Sequence, residues 1–138
     1  MHRRAVPAIL IPVYLAAVAW ITLTPAPGDP AGNPLLREVL RTLSAVPGLG
    51  WVDYDVAEFS ANVLLFVPMG ALFVLLLGAW RWWLAVAIGV AATLIIEFVQ
   101  LFLPARVSDP RDLLANTLGT VLGVALVALA RRRRSRRT

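Results

Sequence analysis

Glu97 is a carboxylate near the end of a long apolar run, and more polar side chains follow it closely. Gln100 comes three residues later, Arg106 lies just past Pro104, Asp109 and Asp112 flank Pro110-Arg111, and Asn116 comes next. One more amide, Asn62, sits near the start of an earlier apolar run. An acid at the centre of a membrane helix costs roughly 2.5 to 3.5 kcal/mol, less toward the interface. Glu97 is therefore expected to face the interior of a helix bundle. Its options there are an ion pair with Arg106 or Arg111, a hydrogen bond with Gln100, Asn62 or Asn116, or protonation.

Three kinds of chemistry fit these residue types. Acids, amides and a guanidinium together can bind a polar headgroup. Glu97, Asp109 and Asp112 offer hard oxygen ligands for a divalent cation. Glu97 alone could serve as a general acid or base. No nucleophile stands out and no aspartate-rich metal signature is present, so binding is preferred over catalysis and neither a metal nor a cofactor is expected. Several residues also have plainer jobs. Asp109 and Asp112 fit the start of a helix as caps, Asn62 and Asn116 fit interhelical hydrogen bonds, and Arg106 and Arg111 fit lipid phosphates. The best candidates for function are Glu97, Gln100 and Arg106, with Asn62 and Asn116 in support.

These residues need a membrane scaffold. Of 138 residues, 59% are hydrophobic, and the mean hydropathy is +0.77, above the usual soluble composition. The apolar residues fall into blocks of bilayer length, which predicts an all-α, polytopic membrane protein. A single domain over 1–138 with four spans is expected, at approximately 5–24, 60–79, 84–103 and 112–130. The absence of Cys rules out disulfides and thiolate chemistry, and the one His, His2, lies in the terminal tail.

Arg3 and Arg4 precede the first span, which carries Pro7 and Pro12. It reads as a retained helix, because Pro27 after Ala26 opposes signal-peptide cleavage. In the connection that follows, Asn33-Pro34 reads as an N-cap and first helical residue. Leu35, Leu36, Val39, Leu40 and Leu43 recur at helical spacing. That predicts a short amphipathic surface helix in the first extracellular loop. Asp55 and Glu58 have capping-box spacing ahead of the second span, which Pro68 should kink. Trp80, Trp82 and Trp83 surround Arg81 in a tight turn, as interface anchors. Pro104 is expected to end the third span. In the fourth, Gly119 and Gly123 form a GxxxG face, expected to let the third and fourth spans pack closely or to join copies of the chain.

Charge sets the expected orientation. Arg3, Arg4, Arg81 and the six arginines of 131–137 fall on one side with no acid, and seven of the eight acids fall on the other. The positive-inside rule then puts both termini in the cytoplasm and the polar cluster in the outer leaflet. The arginine tail is expected to fix topology, helped by anionic lipid, rather than to bind nucleic acid.

Two blocks of the chain resemble the VanZ-like family of small bacterial membrane proteins. The first is Asn62-x-x-x-Phe66-x-Pro68-x-Gly70. The second is Glu97-x-x-Gln100, Pro104-x-Arg106 and Asp109-x-x-Asp112-x-x-x-Asn116-x-x-Gly119-x-x-x-Gly123. Some relatives carry a Lys or His ahead of the first block, whereas residues 53–58 here include no basic residue. The resemblance implies a small helical bundle in the bacterial cell envelope. It also implies a setting in which one relative is linked to low-level resistance to the glycopeptide teicoplanin. Lipid headgroups, lipid-linked cell-wall intermediates and glycopeptides are the ligands to expect. An enzyme acting on a lipid-linked substrate is the alternative.

Overall fold

The computed structural model describes residues 2–24, 34–103 and 109–135. The described residues form five α-helices and no strand: α1 His2–Leu23, α2 Pro34–Ser44, α3 Tyr54–Leu77, α4 Trp82–Gln100 and α5 Pro110–Ser135. All but α2 are long and apolar enough to cross a membrane, as a multi-pass membrane protein requires. Their outer faces are apolar as well. Leu64 on α3, Ile95 and Phe98 on α4, and Leu114 on α5 are each more than 60% exposed. In water such a surface would aggregate; against lipid it has no hydrophobic cost.

Polar side chains at the helix ends set where the spans begin. Asp53, not Asp55, caps α3: its Oδ1 accepts from Val56 N at 3.0 Å. The cap extends the helix back to Tyr54, six residues ahead of the expected start, and leaves Asp55 in the first turn free for another partner. Asp109 caps α5 as expected, accepting from Arg111 N at 2.8 Å, with Pro110 first in the helix. At its far end α5 continues through the arginines to Ser135. Asp112 lies in the first turn of α5, and its Oδ1 accepts from Asn62 Nδ2. Gly78, with φ +93°, ends α3 in a conformation that L side chains rarely adopt. A 3-10 turn over Ala79–Arg81 then leads into α4, with Trp80 92% exposed.

The helix α4 stops at Gln100, before the expected Leu103. Leu101, Phe102 and Leu103 close the end through backbone bonds to Glu97, Val99 and Gln100 oxygens. Glu97 is thus within one turn of the helix end, at about 4.5 Å, rather than the about 9 Å expected from the longer span. Pro104, the expected stop, and the Asn33 N-cap lie outside the described residues.

The central helix is α3, which packs on α5, α4 and α1. Phe66, Met69, Phe73 and Val74 carry its buried face, against Val124 of α5, Ala85 and Ile96 of α4, and Ile11 and Val18 of α1. Its closest neighbour is α5, not α4 with α5 as the sequence led us to expect. A Cβ on Gly119 would collide with Val63 O, and one on Gly123 with Val67 O. From the α3 side, a Cβ on Gly70 would collide with Thr120 O. Three glycines on two helices thus bring backbone against backbone, with α3 and α5 running parallel. The reason α5 needs its GxxxG for α3 is that α4 supplies its own small residue, Gly89, whose missing side chain makes room for that of Thr120.

Proline does not break the bundle. Both Pro7 and Pro12 lie within α1, and Pro68 within α3. Pro68 has no N–H to donate, which opens the surrounding turn. Tyr14 of α1 reaches that turn and donates its hydroxyl to Leu65 O. A residue from another helix so engages the backbone beside the proline.

Candidate functional site

The helix α4 runs antiparallel to α5, and the register of the two determines what Glu97 meets. Gly89 lies against Thr120, and Thr93 is level with Asn116, four residues further along one helix and four back along the other. The next step of four puts Glu97 level with Asp112. The electrostatics agree: the charges of Glu58, Glu97 and Asp109 all act on the Asp112 carboxyl. Asp112 is also joined to α3, because Asn62 Nδ2 donates to its Oδ1 at 2.7 Å.

The result is a polar ladder through the α3–α4–α5 interface. Its inner rung is Asn116 Nδ2 donating to Thr93 Oγ1 at 2.9 Å, both residues buried. Thr120 Oγ1 donates back to Asn116 O at 2.9 Å within α5, which turns its polar atom onto the helix. The outer rung is Asn62 and Asp112, half-buried, with Glu97 alongside and its Oε1 buried. Asn116 Oδ1 is buried and accepts no hydrogen bond from a described residue.

Gln100 belongs to a different contact. Its Nε2 donates to Thr22 O, on the last turn of α1, at 2.9 Å. The carbonyls at a helix C-terminus have no intrahelical partner, and Gln100 satisfies one of them. Thr22 Oγ1 bonds back to Val18 O at 2.8 Å. Gln100 is 5% exposed, and its Oε1 also accepts no hydrogen bond from a described residue. This residue ties α4 to α1, one turn from Glu97.

Above the outer rung the helix ends form a charged mouth. Arg111 NH1 meets Asp55 Oδ2 at 2.8 Å, so it pairs with α3 and not with Glu97. Asp55, Glu58, Phe59, Asp109, Arg111 and Asp112 line a cleft of about 20 Å³ there. That is room for one water, and beside it a more open groove of about 290 Å³ is lined by Asp55, Val56, Phe59 and Arg111. The metal-site alternative, which needed Glu97, Asp109 and Asp112 together, finds no support: no group of three acids among the described residues could hold a metal ion.

Of the residues expected at the site, Asn62, Glu97, Asp112 and Asn116 come together, Asp109 stands at the rim, and Gln100 faces α1. Arg106 lies outside the described residues. Gly119 and Gly123 pack, though against α3. Sequence reasoning missed Glu58, Thr120 and Thr22. The first two had a signal, since Glu58 is four residues before Asn62 and Thr120 four after Asn116. Thr22 had none, because it contributes a backbone carbonyl.

No curated protein and no solved structure matches the chain. The family model described as VanZ/LLP1 matches residues 11–131. That stretch contains α2, α3 and α4 whole, most of α1 and α5, and the whole polar ladder with its mouth. The chain belongs to the VanZ/LLP1 family.

Proposed function

We propose that this protein resides in the bacterial cytoplasmic membrane and binds a polar headgroup at the mouth of the α3–α4–α5 ladder. Both termini are cytoplasmic, so the mouth opens at the outer leaflet. The headgroup belongs to a lipid, a lipid-linked cell-wall intermediate or a glycopeptide, and binding contributes to glycopeptide resistance. The observation that carries this reading is the convergence of Asn62, Glu97, Asp112 and Asn116 from three helices beside a rim of acids. Glu97 and Asp112 are ionisable groups within the bundle, and such groups are expensive in a membrane and mark function by default.

The test is envelope-antibiotic sensitivity in cells expressing the protein or its Glu97→Gln and Arg106→Ala variants. Glu97→Gln keeps the side chain's shape and replaces the carboxyl with an amide. Both variants should alter teicoplanin sensitivity while accumulating in the membrane at normal levels. Unchanged sensitivity in both, and in a strain lacking the protein, would overturn the proposal.

A further inference from the structure

The opposite end of α5 carries a second feature, independent of the ladder. Steps of three and four residues put Leu126, Leu129, Ala130, Arg133 and Arg134 on one face of the helix, and these five line a shallow groove of about 550 Å³. That volume lies within the range of small-molecule sites. Leu126 and Leu129 are 57% and 51% exposed, so no other described helix covers this face. A rise of about 1.5 Å per residue puts Arg133 about 30 Å along the axis from Leu113. Thirty ångströms is about the thickness of the hydrocarbon core. The leucines therefore lie at acyl-chain depth and the guanidinium groups at headgroup depth. Arg131 and Arg132 project from the other side of the same helix.

We propose that this face of α5 is a binding site for an anionic phospholipid, with an acyl chain along Leu126, Leu129 and Ala130 and the phosphate on Arg133 and Arg134. The chemistry follows from the residue types. Guanidinium groups bind phosphate oxygens in a bidentate fashion, and the helix C-terminus stabilises the cations. The helical continuation of α5 through the arginines is what makes the site, because it fixes the two guanidinium groups above the two leucines.

The test uses the full chain in detergent, with phosphatidylglycerol or phosphatidylcholine added and retained lipid counted by native mass spectrometry. The wild-type protein should retain phosphatidylglycerol in preference to phosphatidylcholine. The double variant Arg133→Ala/Arg134→Ala should weaken phosphatidylglycerol retention by about thirtyfold, about fivefold for each arginine. The double variant Arg131→Ala/Arg132→Ala removes the same charge from the other side and should weaken it less than about threefold. Equal losses in the two double variants would reduce the effect to net charge and overturn the proposal. So would equal retention of the two lipids by the wild-type protein.

Discussion

The close approach of α3 and α5 can be tested by adding single methyl groups. In Gly123→Ala the new Cβ would meet Val67 O, and would also lie 2.8 Å from Ala71 N and 3.0 Å from Val67 C. All three are backbone atoms of α3, so no side chain can rotate away and the helices must separate. Overpacking of a close-packed interface costs about 1 to 3 kcal/mol. At about 2 kcal/mol the folded-to-unfolded ratio falls about thirtyfold. Gly119→Ala meets Val63 O in the same way, one turn earlier. The two substitutions should be less than additive, because a helix displaced by the first methyl already makes room for the second. Reversible unfolding in mixed micelles, with Ala125→Val on the exposed side of α5 as control, measures each term. Losses no larger than the control, or strict additivity of the glycine variants, would refute the backbone contact.

Three further perturbations follow from single contacts. A double-mutant cycle between Asn62→Ala and Asp112→Ala should give a coupling near 0.6 kcal/mol, the average for interhelical bonds in a membrane protein. A coupling of zero in the same micelle assay would remove the outer rung. Gln100→Ala should release α1 from α4, seen as faster amide exchange in the last turn of α1 with the α3–α5 interface protected as before. Uniform exchange through all helices would contradict that assignment. Asp53→Ala should lower stability by about 0.5 to 2 kcal/mol through loss of the α3 cap, whereas Asp55→Ala leaves the cap intact. Faster exchange of the Val56 amide in Asp55→Ala but not in Asp53→Ala would restore Asp55 as the capping residue.

Much of this arrangement was legible in the sequence because lipid imposes simple rules. Apolar length marks the four long helices, and Asp109-Pro110 marks the start of α5 where it is found. Other features depend on partners far away in the chain. Asp53 and Asp55 are the same residue type two apart, and only the phase of the helix decides which one caps. The GxxxG of α5 signals a close neighbour without saying which, and Gly70 of α3 gained its meaning only when Thr120 was found against it. Glu97 and Asp112 follow from register: a four-residue slip of α4 against α5 would have paired Glu97 with Asn116 instead. Gln100, three residues from Glu97 on one helix, is expected by spacing in the same site. It faces α1 because its partner is a carbonyl that carries no sequence signature.

The proposed binding of a ligand by Asn62, Glu97 and Asp112 at the outer face of the membrane is tested most directly by thiol labelling. The chain has no Cys, so single-Cys variants at Asn62, Asp112 and Asn116 can be treated with an impermeant thiol reagent in intact cells. Asn62 and Asp112 should react from outside, Asn116 should react far more slowly, and added teicoplanin or lipid-linked cell-wall intermediate should protect the first two. Reaction only after the cells are opened would contradict the outer location. Outside reaction that neither ligand slows would contradict the binding role.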